Sequence, residues 1–456
     1  MNNQKKITKI FYIFLISHLL IWTLIPSLSN INLPLDTIEA LAWGSNLDWG
    51  FNKHPPFSAL AVEVFYSFFG SQDWAYYLLS QIFVIIAFIY VWKLSNEIFK
   101  NKIYSLLSLL ALEGIFFYNF TTPEFNVNVS QLPFFALTSY FLWRGINSKK
   151  NSDWILFGIF SAFGFLSKYL FIYFLFSIFL FLIFIYRKKK ILKCYGLSIT
   201  VSLAIIVPHF IWLFENNFVT IFYGLNRSGL DETQFLNHLI NPIIFLSKQL
   251  IILVPFFLMI SVLLKKIVFR INIKSKKILF LLTISFLPLL LVLLTSVVTG
   301  AKIRTMWMTP FYLFIGTFFF ESVKNYIDLK RINKFYFVFL FFFFLSPITY
   351  LGVSILDNTK RTDYPGREIA RLVQNKWDDN FINEIKIVVG DEWSAGNLSY
   401  HLSTRPTWIQ ELKGFADNLK QDQGVIYTGN PNVLKKICPG VFGTIKPVGY
   451  CMIGKR

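Results

Sequence analysis

The chain has 456 residues, of which 55% are hydrophobic, 19% aromatic and only 15% charged, too apolar for a water-soluble domain and suited to a protein immersed in lipid. Its formal net charge of +19 would suit a nucleic-acid partner, but the basic residues are distributed as membrane topology requires, and no nucleic acid is expected. HExxH, CxxC, P-loop and GxSxG patterns do not occur, so zinc hydrolase, redox, nucleotide-driven and serine-hydrolase chemistries lack support.

A span needs about 20 mostly apolar residues. Eleven stretches come near or meet that length: residues 10–28, 74–92, 103–120, 127–143, 154–166, 169–186, 196–214, 240–264, 278–298, 306–320 and 335–351. Because 154–166 and 306–320 are short, the expectation is a polytopic α-helical membrane protein of about 11–13 spans. The first stretch has a lysine-rich lead-in but no small-residue cleavage site, and reads as a retained span. With the N-terminus placed in the cytoplasm, every inner segment is basic, from Lys5, Lys6 and Lys9 to Lys330, Arg331 and Lys334. These segments, which include Lys149 and Arg270, hold more than half of the 44 basic residues. Outside the inner segments, the chain before Leu351 contributes only Lys53, Lys168, Arg227, Lys248, Lys302 and Arg304. That asymmetry is the positive-inside rule.

An odd number of spans carries the remainder to the outer side. Residues 1–354 are thus expected to form the membrane domain, and 355–456 a small extracytoplasmic α/β domain. In that tail "EIKIVVG" (384–390) and "GVIYTG" (424–429) read as short buried strands, and "GREIARLVQNKW" (366–377) as an amphipathic helix. Cys438 and Cys451 both lie there, where an oxidising compartment permits a disulfide; the spacing leaves open whether it forms. Cys194 reads as a buried thiol near the inner face.

The polar residues of the outer loops are the unusual ones. In the first outer loop (29–73), "PLDTIE" (34–39) matches a capping box, with Asp36 as cap and Glu39 reaching back. A carboxylate fixed at a helix start can equally serve as a general base or orient a nucleophile. Lys53 and His54 precede Pro55-Pro56, which hold them extended at the membrane boundary. There they either snorkel to headgroups or bind a phosphate. Lys168 interrupts an apolar run from Trp154 to Tyr186, which is costly unless it faces an aqueous or anionic site or marks a turn. Lys302 and Arg304, with Trp307, form a further outer cluster, so basic spots converge on one face and suggest an anion. His209, beside Pro208, reads as a satisfied buried imidazole, and Glu113 as an acid either paired or protonated. Glu215, Arg227, Asp231 and Glu232 read as solvated loop charges, Arg227 being also within reach of a phosphate.

The order of an Asp-containing first loop, the Lys53-His54-Pro55-Pro56 corner, "FGFLSKY" (163–169), "PHFIWLFENNF" (208–218), "FLSKQL" (245–250), "AKIRTMWMTP" (301–310) and "YPGREIA" (364–370) resembles the C-type-fold glycosyltransferases of families 39 and 83. That family includes protein O-mannosyltransferases and lipid A aminoarabinose transferases. The resemblance implies transfer of a sugar from a polyprenyl-phosphate donor to a lipid, glycan or protein acceptor at the outer face of a bacterial inner membrane. It implies Asp36 as the catalytic carboxylate of an inverting displacement, with Glu39 beside it. Lys53, His54, Lys168, Lys302 and Arg304 become candidates for the donor phosphate, and Arg227 and Trp307 further candidates. Two departures stand out: relatives carry adjacent Asp-Glu where Thr37 follows Asp36, and a metal-ligating Glu-Lys before the corner where Lys53 and His54 stand here. No cofactor is therefore expected, and a divalent metal, which the resemblance leaves open, would lack its family ligand at this corner. A competing reading is a transporter or flippase of lipid-linked sugar, which should show polar residues through to the inner side; the inner halves are nearly uniformly apolar. A non-catalytic scaffold would not need Asp36 near the cations.

Overall fold

The computed structural model describes residues 2–148, 150–229, 234–266, 271–411 and 424–456. Helices follow one another through the first three quarters of the chain. α1 (Asn2–Ser29), α2 (Leu35–Gly44), α3 (Phe57–Phe69), α4 (Asp73–Phe99) and α5 (Lys102–Leu110) come first. α6 (Val127–Ser130), α7 (Leu132–Ser148), α8 (Asn151–Ser167), α9 (Phe171–Phe184), α10 (Lys189–Glu215) and α11 (Val219–Arg227) follow. α12 (Asn237–Ile252), α13 (Val254–Ser261), α14 (Lys276–Ser285), α15 (Leu287–Thr299), α16 (Ile315–Val323) and α17 (Ile332–Leu356) complete the bundle. One continuous apolar core, rich in Phe and Tyr, joins all of these helices except α11.

Each expected span falls mainly on helical backbone, but fewer single helices have a span's length than the eleven stretches suggested. Among the described residues four do: Gln4–Ser29, Asp73–Phe99, Lys189–Glu215 and Leu329–Leu356. Two more arise if bent pairs count as one span each, α12 with α13 (40°) and α14 with α15 (43°). The cause is local. Pro255 and Pro288 sit at the start of the second helix of each pair, where proline removes a donor and breaks the ladder. The stretch at 103–120 leaves α-helix at Ala111 for 3-10 turns, and the one at 306–320 begins as a 3-10 turn, Thr305–Tyr312.

The tail forms α18 (Gly366–Asp378), α19 (Ser394–His401), α20 (Pro431–Ile437) and a five-stranded sheet. Its strands are β1 (Ile387–Val389), β2 (Thr407–Ile409), β3 (Val425–Gly429), β4 (Val441–Ile445) and β5 (Val448–Ile453), in the order β2-β1-β3-β5-β4. β1 pairs in parallel with β2 and β3, while β5 runs antiparallel to β3 and β4. Alternate residues feed two cores, as a period-2 strand requires. Val388, Ile426, Tyr450 and Met452 face one side; Val389, Tyr427, Cys451 and Ile453 face the other. Both segments read as strands are strands, the amphipathic helix is α18, and the disulfide Cys438–Cys451 is formed.

One tail core does not end at the tail. Ala42, Trp43, Phe51 and Ala59 of the first loop belong to it. α19 lies so close on α2 that a Cβ at Gly396 would stand 3.1 Å from the Cβ of Ala42. α2 is therefore held between two bodies, with Ile38 and Leu41 in the bundle core and Ala42 and Trp43 in the tail core.

Candidate active site

α2 carries the first carboxylates, and its start differs from the expected capping box. The helix begins at Leu35 with Pro34 as its cap, and no side chain caps it. The Asp36 backbone N–H donates instead to Glu124 Oε1 at 3.1 Å, so a distant side chain supplies the acceptor that a helix start needs. Glu39 does not reach back; it accepts from Lys53 Nζ at 2.8 Å. The Asp36 carboxylate is thereby left to face the space beyond the helix.

That space is a cavity of about 470 Å³. Asp36 and Glu39 line one side; Lys53, His54 and Pro55 of the proline corner close a second. Lys168, in the turn between α8 and α9, lies opposite, with Arg227, Arg304 and Trp307 completing the wall. Lys168 is held in place: Nζ donates to Asn128 Oδ1 at 2.6 Å and stands 5.0 Å from the centre of the Trp307 ring. Burial brings its pKa down to about 7, against the pull of Asp36. Burial and then the neighbouring Lys168, Lys53 and Arg227 press His54 down to about 3, so its imidazole is neutral and offers an anion one N–H. Its ring packs edge-on to Trp43 and Tyr223.

A second cavity, of about 570 Å³, lies on the other side of Asp36. Asn30, Glu124, Tyr350, Lys360 and Arg361 line it, and Leu35, Asp36, Arg227, Arg304 and Met306 are common to both cavities. Withdrawal from water and then the charge of Asp36 raise Glu124 to about 8. Asp36 is itself raised by burial, though Lys168, Lys53 and Arg227 oppose the shift. Two neighbouring carboxyls in so dry a place do not both ionise readily, and burial favours the protonated form of each.

Of the residues singled out from sequence, Asp36, Glu39, Lys53, His54, Lys168, Arg227, Arg304 and Trp307 surround one cavity. Lys302 does not. Its backbone N–H is pinned to the Ser228 carbonyl at 3.0 Å, its side chain is exposed, and it lines neither cavity. Lys53 lines the wall but is engaged by two acids, Glu39 at 2.8 Å and Glu392 at 3.2 Å. Glu113 pairs with His18 at 2.8 Å. His209 is satisfied by the Trp49 carbonyl and the Tyr169 hydroxyl. Glu215 is exposed, while Asp231 and Glu232, like Lys149 and Arg270, lie outside the described residues. Sequence reasoning missed Glu124, Asn128, Arg361 and Glu392. Only Glu124 left a trace, as an acid after a proline in a short outer loop. Among the described residues no group of three His, Cys, Asp or Glu side chains could hold a metal ion. With Lys53 and His54 at the proline corner, the residues present do not fit a metal there.

Residues 53–212, from the proline corner into α10, match the family model for dolichyl-phosphate-mannose-protein mannosyltransferases. The structure superposes on ArnT from Cupriavidus metallidurans in the apo state with a TM-score of 0.63 at 11% identity, covering 97% of this chain and 98% of that one. The chain has the C-type glycosyltransferase fold. A lower similarity, TM-score 0.42 at 10% identity over 91% of this chain and 69% of the other, relates it to the archaeal oligosaccharyltransferase AglB from Archaeoglobus fulgidus in complex with an inhibitory peptide and a dolichol-phosphate. No curated protein matches the sequence. The resemblance seen in the sequence is borne out, and the chain is a multi-pass membrane protein of this fold. The matched segment contains His54 and Lys168; Asp36, Arg227 and Arg304, which complete the cavity, come from outside it.

Proposed function

We propose that this protein is a glycosyltransferase that moves a sugar from a polyprenyl-phosphate donor to a lipid, glycan or protein acceptor at the extracytoplasmic face of a bacterial inner membrane. The family match supports a membrane glycosyltransferase working on a lipid-linked donor. One observation carries the finer reading: two cavities meet at a single carboxylate, Asp36, and share two arginines, Arg227 and Arg304. In this reading residues 1–354 form the transferase unit, the N-terminus is cytoplasmic, and residues 355–456 lie outside.

The donor phosphate occupies the first cavity. Lys168, Arg227 and Arg304 meet it with charge and His54 with a neutral N–H, the arginines offering paired donors to phosphate oxygens. A lipid carrier reaches this site sideways from the bilayer, which is why no nucleotide motif is needed. The acceptor hydroxyl approaches through the second cavity. Asp36, between them, accepts its proton as the acceptor oxygen bonds to the anomeric carbon. The bond from that carbon to the phosphate oxygen breaks in the same step, with inversion, and the electron pair leaves on the carrier phosphate. Lys168, Arg227 and Arg304 stabilise the charge that grows there, and such electrostatic help is the largest single contribution in many enzymes. Protonated Glu124 holds the α2 backbone without adding a second negative charge beside the base.

The test is chemical. Purified protein would be incubated with a polyprenyl-phosphate sugar and an envelope extract, and the products read by mass spectrometry with and without the protein. A sugar-sized mass gain on one class of envelope molecule, with release of polyprenyl phosphate, is the expected result. Movement of intact lipid-linked sugar across vesicles without its cleavage would replace this reading with a flippase.

A further inference from the structure

The tail places one of its own carboxylates against the proline corner. Glu392 lies in the short turn between β1 and α19, fixed by Asp391, whose Oδ1 accepts from the backbone N–H groups of Trp393 at 2.9 Å and Ser394 at 2.8 Å. Glu392 is 8% exposed. Its carboxylate stands 3.2 Å from Lys53 Nζ and 3.3 Å from Asn52 Nδ2. Lys53 is thus shared between Glu39 on α2 and Glu392 on the tail, and each Lys53 proton spent on a carboxylate is withheld from a phosphate.

The tail also grips α2 and the loop around it. Arg405 donates to the Leu41 carbonyl and to Glu63, each at 2.7 Å, and the Trp408 N–H donates to Ser45 Oγ at 2.8 Å. Asn397 and His401 engage Asn32 just before the helix. These contacts dock the tail at positions away from the cavity, whereas Glu392 bears on a residue of the cavity wall. We propose that Glu392 is a positioning residue of the transferase site: by holding Lys53 on Glu39 it fixes the carboxylate helix against the cavity and keeps the Lys53 ammonium off the donor phosphate. The inference rests on the transferase reading above. It makes the tail part of the active site's support.

A merely structural role and this one separate kinetically. In Glu392→Gln, Lys53 keeps one carboxylate instead of two and can turn to the donor, so the donor is bound more tightly in a less productive place. The expected result is a kcat lower by about tenfold together with a donor KM lower by a few-fold, the signature of misplaced ground-state binding. Glu392→Asp should recover part of kcat. Asn397→Ala, which loosens the docking away from Lys53, should leave donor KM unchanged or raise it. Labelling of purified protein with an amine-reactive reagent, read by peptide mass spectrometry, should show Lys53 protected in the unmutated protein and modified faster in Glu392→Gln. Unchanged kinetics in Glu392→Gln, or kinetics that track Asn397→Ala, would overturn the proposal. Labelling requires no turnover: equal modification of Lys53 in both proteins sinks the inference alone, while failure of the unmutated protein to cleave any polyprenyl-phosphate sugar sinks the function beneath it.

Discussion

The two cavities that meet at Asp36 hold their cations differently. In the first, Lys168 is tied to Asn128 and lies over Trp307, and Lys53 is shared between two acids. In the second, Lys360 is paired with Asp363 at 3.0 Å, but Arg361, which lines this cavity and not the first, is exposed and has no carboxylate partner among the described residues. A wall whose donors are fixed before the ligand arrives suits one ligand of constant shape, such as a phosphate on a lipid carrier. A wall with an exposed, unpaired guanidinium suits a ligand that varies or is released as product. The contrast is the ground for the proposal that the first cavity takes the donor and the second the acceptor.

The sharpest way to break that assignment is at the shared point. Asp36→Asn should lower transfer by about a thousandfold, since it removes the base and leaves the binding groups intact. Donor binding should be almost unchanged, as measured by protection from heat denaturation with polyprenyl phosphate. A loss of binding equal to the loss of rate would return Asp36 to a structural role.

Next comes the donor wall. Lys168→Ala should cost about a hundredfold in kcat/KM for the donor, because a charge-assisted bond to the phosphate is lost. Its pKa near 7 also gives a pH signature. The lysine is charged below that value, so donor KM should rise as pH climbs through about 7, and Lys168→Arg, charged throughout, should flatten the rise. The same shift makes folding more favourable from pH 7 towards the ordinary lysine value of 10.5, since over that interval the unfolded chain binds the extra proton.

The acceptor wall should respond more gently. With Glu124 protonated below about pH 8, Glu124→Gln imitates its neutral form and keeps an acceptor for the Asp36 N–H. Activity at pH 7 should stay within a few-fold of the unmutated protein, and the decline expected above pH 8, when a second carboxylate ionises beside Asp36, should disappear. A pH profile of initial rates checks both statements. Smallest in its effect on transfer should be loss of the tail disulfide. Cys438 and Cys451 are 13 residues apart, and opening a loop of that size costs about 3 kcal/mol. Cys438→Ser with Cys451→Ser should lower the tail's melting temperature while transfer below that temperature changes little.

How much of this was legible in the sequence follows from the range of each interaction. Apolar run length located the helical segments, and the isolation of Lys168 in a greasy stretch pointed to the cavity it lines. The proline corner was equally visible. What could not be read were partners brought from far away: Glu124 stands 88 residues from Asp36, and Glu392 reaches the corner from the far end of the chain. The capping box failed for the same reason, because the Asp36 backbone N–H found Glu124 and the Glu39 carboxylate found Lys53. Lys302 was misplaced because proximity to Arg304 in sequence does not fix which way a side chain in irregular backbone turns. Pro255, Pro288 and the 3-10 turns interrupt apolar runs that composition alone cannot divide.

The most direct measurement is an electron cryomicroscopy map of the protein with a polyprenyl-phosphate sugar bound. The phosphate is expected within hydrogen-bonding distance of Lys168, Arg227 and Arg304, with the anomeric carbon facing Asp36 and the second cavity open behind it. A phosphate seated at the opposite end of the bundle, or in the second cavity against Arg361 with the sugar turned away from Asp36, would contradict the assignment.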